Sequence, residues 1–314
     1  MTIREIIEHL RKTISSEMEP LVDRDFRYLV MTEHGNIGDT MIFQGEREFL
    51  QTVPYRCKEW TSMTSFTRRH PFLPEEDLLI FRGSGSFGDL WPTSPTFWID
   101  VLQRYPRNPV LFMPQTAHFD DPGKMEELVR ACDRPGRTVI CLRDRPSFEL
   151  VSSRFPCETH LVPDMAFFWD VGKWKSRHTV PNGRTLLIRR ADRETKEGPL
   201  LRSLIGRLDV DESDWPTMDL GHPAQRWLAR IRRRTHRIPR LFDLFVKDIF
   251  RPTLLKLGVR FVEPYEKVFA TRMHGGILAL LLGKPTIFFD NSYGKTKAVF
   301  ETWLSECESA KLIT

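Results

Sequence analysis

No stretch of this chain is apolar enough, over the roughly 18 residues required, to span a bilayer as a helix. The first twenty residues, MTIREIIEHLRKTISSEMEP, lack the apolar core of a signal peptide and read as a charged amphipathic helix, so the expected location is the cytosol. Cysteine is scarce and scattered. The five residues at 57, 132, 141, 157 and 307 include no C-x-x-C pair and no zinc-finger spacing, which fits a reducing compartment and gives no reason to expect a structural metal. None of the nine histidines forms an H-x-x-x-H or H-E-x-x-H pair, and no G-x-S-x-G elbow occurs, so the common zinc-hydrolase and serine-hydrolase signatures are missing. Acidic excess is missing too. A net charge of +5 and a pI near 9.0 favour anionic partners such as phosphates or an acidic membrane face. That charge is too modest for a nucleic-acid binder, and no nucleic-acid motif is present.

What remains is an ordinary globular composition, 40% hydrophobic and 28% charged, over 314 residues, a length that calls for two domains. In the first half short apolar strands, FRYLVMT (26–32), DLLIF (77–81), PVLFMP (109–114), RTVICL (137–142) and one ending at THLVP (159–163), alternate with helical patterns at 39–52, 95–105, 123–133 and 145–155. Such alternation implies right-handed crossovers and a parallel sheet wound with helices. The polar, Pro- and Gly-bearing stretch 169–184 reads as a linker, dividing the chain into 1–172 and 173–314. Beyond it the expected strands are TLLIRR (185–190), one near WPTMDL (215–220), GVRFVE (258–263), KVFAT (267–271) and PTIFF (285–289). The helix at 273–283 is apolar nearly all round and should be buried.

Two glycine turns follow first-half strands. Gly35, Asn36, Gly38 and Asp39 stand between a strand and a helix, where backbone N–H groups meet an anion or where Asp39 simply caps the helix. Gly83, Gly85 and Gly88 match G-x-G-x-x-G, but Pro92 and Pro95 delay the helix and the next strand ends at Gln115 without the acidic residue a dinucleotide ribose needs. A glycine-lined loop facing a cleft, with Arg82 and Asp89 as contacts, fits better than a dinucleotide site. Asp209 and Asp211 form a D-x-D that reads as a solvated loop. Arg272 and His274 sit at a strand-to-helix junction ahead of Gly275 and Gly276. An arginine fork grips phosphate or carboxylate, and a histidine exchanges a proton near neutral pH. Arg189 and Arg190 end a strand of the same half, and only one of them can face a given side of the sheet. The arginine-rich, aromatic-flecked run 226–259 suits either two solvated helices or an anionic membrane surface.

Together these segments resemble the polysaccharide pyruvyl transferase family. The matching pieces are G-N-I-G-D at 35–39, G-x-G-x-F-G-D-L-W-P at 83–92, M-P-Q at 113–115, R-D-R-P-S at 143–147, P-D-M-A at 163–166 and R-M-H-G at 272–275 with its G-K-P-T continuation. They run in order over roughly residues 33–300. Ser84 and Ser86 depart from the glycine and asparagine expected in the second motif.

The resemblance implies a glycosyltransferase-B-like α/β fold, with two Rossmann-type domains whose parallel sheets face a central cleft. It implies transfer of pyruvate from phosphoenolpyruvate to two hydroxyls of one sugar as a cyclic ketal, with release of phosphate and no further cofactor. The acceptor would be a lipid-linked oligosaccharide at the cytoplasmic membrane face, in exopolysaccharide or capsule assembly. His274 is then the candidate acid, with Asp39 and Asp89 as its catalytic companions. Arg272, Arg189, Arg190 and Gly275 are candidate donor ligands. Asn36, Gly38, Arg82, Gly85, Gln115, Arg143 and Asp144 are candidate acceptor contacts. A nucleotide-sugar glycosyltransferase of the same fold and a non-catalytic assembly protein are the alternatives.

Overall fold

The computed structural model of the protein describes residues 1–69, 72–91, 93–176, 179–190, 201, 209–219, 221–235 and 237–314, without the side chains of 68 and 69. Two parallel sheets organise them. The first runs in the order β2 (Cys57–Ser62), β1 (Phe26–Met31), β3 (Leu78–Phe81), β5 (Val110–His118), β6 (Thr138–Leu142) and β7 (Glu158–Leu161), with β4 (Ser84–Gly88) also paired to β5. The second, among the described residues, runs β12 (Ala310–Ile313), β11 (Thr286–Phe289), β10 (Lys267–Ala270), β8 (Thr185–Ile188) and β9 (Val210–Ser213). The expected mixed α/β architecture with parallel sheets is what the chain adopts. Strands such as LLIF and TVICL are buried along their whole length, because helices cover both faces of a parallel sheet.

Two expected strands are not strands. GVRFVE lies in a helix, Arg251–Val262, because the buried residues Leu254, Leu255, Gly258, Val259 and Val262 recur with helical spacing once the preceding turn is included. The segment near 215–220 is a turn, with β9 placed earlier at Val210–Ser213; Leu220 itself lies outside the described residues. The second glycine turn forms β4, paired to β5 from Ser84↔Gln115 to Gly88↔His118.

Helices join the sheets into one core. α1 (Ile3–Met18), closed by a Thr2/Glu5 capping box, buries Ile6, Ile7, Leu10, Ile14 and Met18 on one face. Its Arg11 donates to the carbonyls of Phe167 and Trp169, and the Met1 ammonium donates to the Glu306 carbonyl near the other end of the chain. α2 (Ile37–Leu50) packs against the 3-10 turn Met165–Phe168 and against the helix Arg251–Val262, where a β-carbon on Gly258 would lie 2.7 Å from Ile37. A single apolar cluster therefore contains Tyr28, Ile80 and Met113 from one sheet and Leu186, Ala270 and Phe288 from the other. β1 ends on a distortion. Val30 takes a φ of +69°, strained for a β-branched residue, and the β1–β2 register slips between Leu29 and Met31. That bulge turns the chain into the loop 32–36 that carries the first glycine motif.

α2 seats so closely on the 3-10 turn that a β-carbon on Gly45 would run into the Met165 carbonyl oxygen. Gly45→Ala should therefore lower stability by about 1–3 kcal/mol, the usual cost of overpacking, despite the better helix propensity of alanine. Urea denaturation with an unchanged slope checks this, and an unmoved midpoint would show that α2 has room to spare.

Candidate active site

The loops at the carboxyl ends of the first-sheet strands meet residues of the second half. In the first loop Asn36 caps α2, its Oδ1 accepting from the Gly38 N–H at 3.0 Å while its Nδ2 donates to Asp39 Oδ2 at 3.1 Å. The far half of the chain clamps this loop. Thr217 Oγ1 donates to the Gly35 carbonyl at 2.6 Å, and Arg251 Nη1 and Nη2 donate to the carbonyls of Thr32 and Asp39 at 2.7 and 3.3 Å. Gly38 must be glycine for a simple reason: a β-carbon there would lie 2.8 Å from both Cβ and Nδ1 of His274. Burial disfavours the Asp39 carboxylate, but His34, Arg82, His274 and Lys295 outweigh it and hold the group at about 2. Asp39 is an anion throughout the physiological range.

The second cluster starts from Arg143, at the end of β6, only 1% exposed. Its Nη1 donates to Asp164 Oδ2 at 2.6 Å and its Nε to Thr116 Oγ1 at 2.8 Å. Thr116 Oγ1 in turn donates to Asp144 Oδ2 at 2.8 Å, and Asp144 caps the helix Arg145–Arg154 by accepting from the Ser147 N–H. Asp164 Oδ2 also lies 3.2 Å from His274 Nε2. Burial opposes charge on Asp164, yet His274 and Arg143 drive its carboxyl well below the usual range. The remaining nitrogen of the fork, Arg143 Nη2, is buried with no hydrogen-bond partner among the described residues. It points at Gly85: a β-carbon there would be 2.8 Å from Nη2 and 3.3 Å from Lys295 Nζ. Lys295, 8% exposed, opens the helix Lys295–Trp303 behind Gly294, and the neighbouring buried hydroxyl of Thr296 has no partner among the described residues either. Two cations, an unpaired guanidinium nitrogen, a helix N-terminus and the missing side chain of Gly85 together outline a place for an anion.

Asn36, Gly38, Asp39, Gly85, Arg143 and His274, all singled out from sequence, are brought together here. Others have structural work. Asp89 accepts the N–H groups of Asp120 and Asp121, at 2.9 and 2.6 Å for the same oxygen. Gln115 bridges the Arg82 carbonyl and the Ser84 hydroxyl, fixing the glycine turn, and Arg82 donates to Thr32 Oγ1. Gly275 admits Ile188 against its helix. The fork of Arg272 is paired with Asp214, Nη2 reaching Oδ2 at 2.7 Å. Arg189 pairs with Glu212 at 2.6 Å, while the backbone of Arg190 is held by Thr271 Oγ1. Asp209 and Asp211, the D-x-D, both pair with Arg184.

Sequence reasoning gave no role to Asp164, although it lies in the quoted P-D-M-A motif, and none to Lys295. The only local signal for Asp164 is its capping position, with Oδ1 accepting from Ala166 N–H. It gave no role to Glu46 either. This fully buried carboxyl sits beneath the glycine turn, taking the Tyr28 hydroxyl on one oxygen and the Gly83 N–H on the other. Burial pushes Glu46 up to about 8, against those two donors and the nearby Arg82 and Arg251.

A raised carboxyl binds its proton more tightly in the folded state, so its stabilising contribution is complete below the ordinary value of 4.5 and fades as pH rises through about 8. Wild-type melting temperature should fall between pH 5 and pH 8. Glu46→Gln, an amide of the same shape, should flatten that part of the profile. Parallel profiles for the two proteins would show that Glu46 is ionised throughout.

Residues 36–293 match the family model described as polysaccharide pyruvyl transferase. The chain is 25% identical over 289 residues to a Bacillus subtilis protein named as pyruvyl transferase EpsO, covering 89% of this chain and 85% of that one. It is also 25% identical over 291 residues to pyruvyl transferase 1 of Schizosaccharomyces pombe, covering 88% and 68% of the two chains. A functionally uncharacterised Klebsiella pneumoniae protein of known crystal structure superposes with a TM-score of 0.65 at 19% identity, over 100% of this chain and 99% of that one, which speaks for the fold alone. The matched span takes in Asn36, Gly85, Arg143, Asp164 and His274 and ends two residues before Lys295, and the chain belongs to the polysaccharide pyruvyl transferase family.

Proposed function

We propose that the protein transfers pyruvate from phosphoenolpyruvate to two hydroxyls of one sugar as a cyclic ketal, in the manner expected of a glycosyltransferase-B-like pair of sheets. The observation that carries this reading is the anion place at Gly85, where Arg143 Nη2 lacks a hydrogen-bond partner among the described residues and lies beside Lys295, while His274 and Asp39 stand next to it. Phosphoenolpyruvate has two anionic groups on a small carbon frame, and a compact set of cations with an acid and a carboxylate is what its chemistry requires. Asp164 takes His274 Nε2, so the imidazole presents Nδ1 towards the Gly38 loop. His274 delivers its proton to C3 and the enol becomes a methyl group. The electron-poor C2 is attacked by a sugar hydroxyl, whose proton passes to the His274 imidazole as the new C–O bond forms and restores the acid. The C2–O bond to phosphate then breaks, phosphate departs to the cations, and the second hydroxyl closes the ring, its proton leaving on the released phosphate. A carboxylate held at about 2 is a weak base, so Asp39 serves by accepting a hydrogen bond from the acceptor and facing the positive charge that develops at C2. Arg272, fixed by Asp214 two residues before His274, supplies background positive potential on the donor side. The acceptor side falls to the Asn36–Asp39 loop.

Phosphoenolpyruvate should raise the melting temperature by mass action in the presence of EDTA. Lys295→Met should weaken that shift and raise donor KM at least about tenfold, roughly 1.4 kcal/mol. His274→Gln should keep the shift but lower kcat by about 10²–10⁴-fold, because an amide donates a hydrogen bond but no proton. Stabilisation by nucleotide sugars in place of phosphoenolpyruvate would sink this reading in favour of glycosyl transfer. Normal turnover in His274→Gln would remove the acid from that residue.

A further inference from the structure

The helical segment that clamps the first glycine loop carries a surface that the chemistry above does not use. It begins with the helix Pro223–Arg234, continues through Pro239–Phe245 and a π-helical turn Val246–Phe250, and enters the helix Arg251–Val262. Phe242, Phe245, Val246 and Phe250 turn inwards. Ile238, Leu241, Leu244 and Ile249 face out, 56, 49, 53 and 50% exposed, and account for half of the large hydrophobic residues exposed among those described. Trp227, on the preceding helix, lies edge-on to Phe245 at 4.7 Å with part of its ring in solvent. An aliphatic strip of this size on short helical turns is unusual for a surface that meets only water.

Charge decides what it meets. Seven arginines fall between 226 and 240, and no acidic residue occurs from 220 to 242. Arg226, Arg230, Arg233, Arg234, Arg237 and Arg240 are exposed. Arg232 instead folds back, donating to the Glu33 carbonyl at 3.0 Å with its guanidinium 5.4 Å from the Phe242 ring. A second copy of the chain would bring the same arginines against themselves, which like-charge repulsion opposes. A bilayer rich in anionic lipid satisfies both features at once: acyl chains receive the leucines and isoleucines, and headgroup phosphates receive the guanidinium groups.

From this patch we infer that the face formed by residues 226–235 and 237–249 docks the protein on an anionic membrane surface. The orientation that results is specific. Arg232, Thr217 and Arg251 tie this unit to Glu33, Gly35, Thr32 and Asp39, so the docked face lies directly beside the Asn36–Asp39 loop. Resting on the function proposed above, an acceptor carried on a lipid would reach Asp39 from the membrane side, with the donor anion place held deeper, at Gly85.

Co-sedimentation with unilamellar vesicles tests this, with neither donor nor acceptor present, so the result is independent of the phosphoenolpyruvate assays. Wild-type protein should bind vesicles of equimolar phosphatidylglycerol and phosphatidylcholine, weaken steeply with added salt, and ignore pure phosphatidylcholine. The exposed-site variants Leu241→Glu/Leu244→Glu and Arg233→Glu/Arg234→Glu should each cut binding by about tenfold or more with unchanged circular dichroism and melting temperature. No binding by the wild type, equal binding to neutral vesicles, or full binding by the Leu241→Glu/Leu244→Glu protein would overturn the inference. So would a wild-type dimer in sedimentation equilibrium that this variant dissolves, since the strip would then belong to a second copy.

Discussion

The buried pair of Arg143 and Asp164 is the contact on which the site depends. Both side chains are 1% exposed, so the pair is held with almost no help from solvent. Each partner has further duties. Asp164 fixes the His274 ring and the start of the 3-10 turn under α2; Arg143 is braced by Thr116, itself braced by Asp144. Taking two charges out of water is expensive, and only good geometry with the remaining polar atoms satisfied makes it tolerable. Among the described residues, Arg143 Nη2 is the one buried side-chain atom of the set without a hydrogen-bond partner. A fold does not gain stability from an orphaned guanidinium nitrogen, so this one makes sense as a group that a ligand completes.

The same cluster shows why the two sheets cannot be considered apart. Arg143 belongs to the first sheet, but its carbonyl accepts from the indole N–H of Trp303 and the next N–H but one donates to Thr302, both on the last helix. His274 and Lys295 come from the second half, Asp39 and Gly85 from the first. The glycines matter because this meeting is tight: Gly38 yields its side-chain volume to His274, and Gly85 leaves its volume to the cations. In both places the absent Cβ creates the site. Backbone freedom is secondary, since neither residue takes a positive φ.

Much of the framework was legible because parallel strands buried on both faces leave uninterrupted apolar runs, as at 78–81 and 138–142. The glycine loops were legible because strand-to-helix turns demand particular residues. GVRFVE misled because its alternation of large and small apolar residues suits a strand, while the helical period appears only when Leu254 and Leu255 are read with it. β2 was missed since CKEWTS is half polar: it is an edge strand, and Lys58 and Glu59 are occupied by Asp77 and Arg27. At the site, residue types were legible and partners were not. Arg272 looked like a free anion grip until Asp214 was seen to hold it. Lys295 drew no reading at all, because nothing near position 295 announces Gly85 or Arg143. Long-range pairing leaves no trace in local pattern.

The electrostatic order of the site follows from where each charge is paid off. Asp164 is neutralised by Arg143 and His274 on the buried side, and Asp39 is surrounded by His34, Arg82, His274 and Lys295 at the loop. His274 therefore lies between two carboxylates that both stay ionised at neutral pH, one bonded to Nε2 and one sensed through space. Glu46, about two turns of α2 beyond the loop, has the opposite fate: with no cation bonded to it among the described residues, burial keeps its proton on and it supports Gly83 as a neutral group. The same helix thus carries one carboxyl that is always charged and one that is mostly neutral. The difference comes from bonded neighbours, and beside Gly85 the Arg143 Nη2 atom has no hydrogen-bond partner among the described residues.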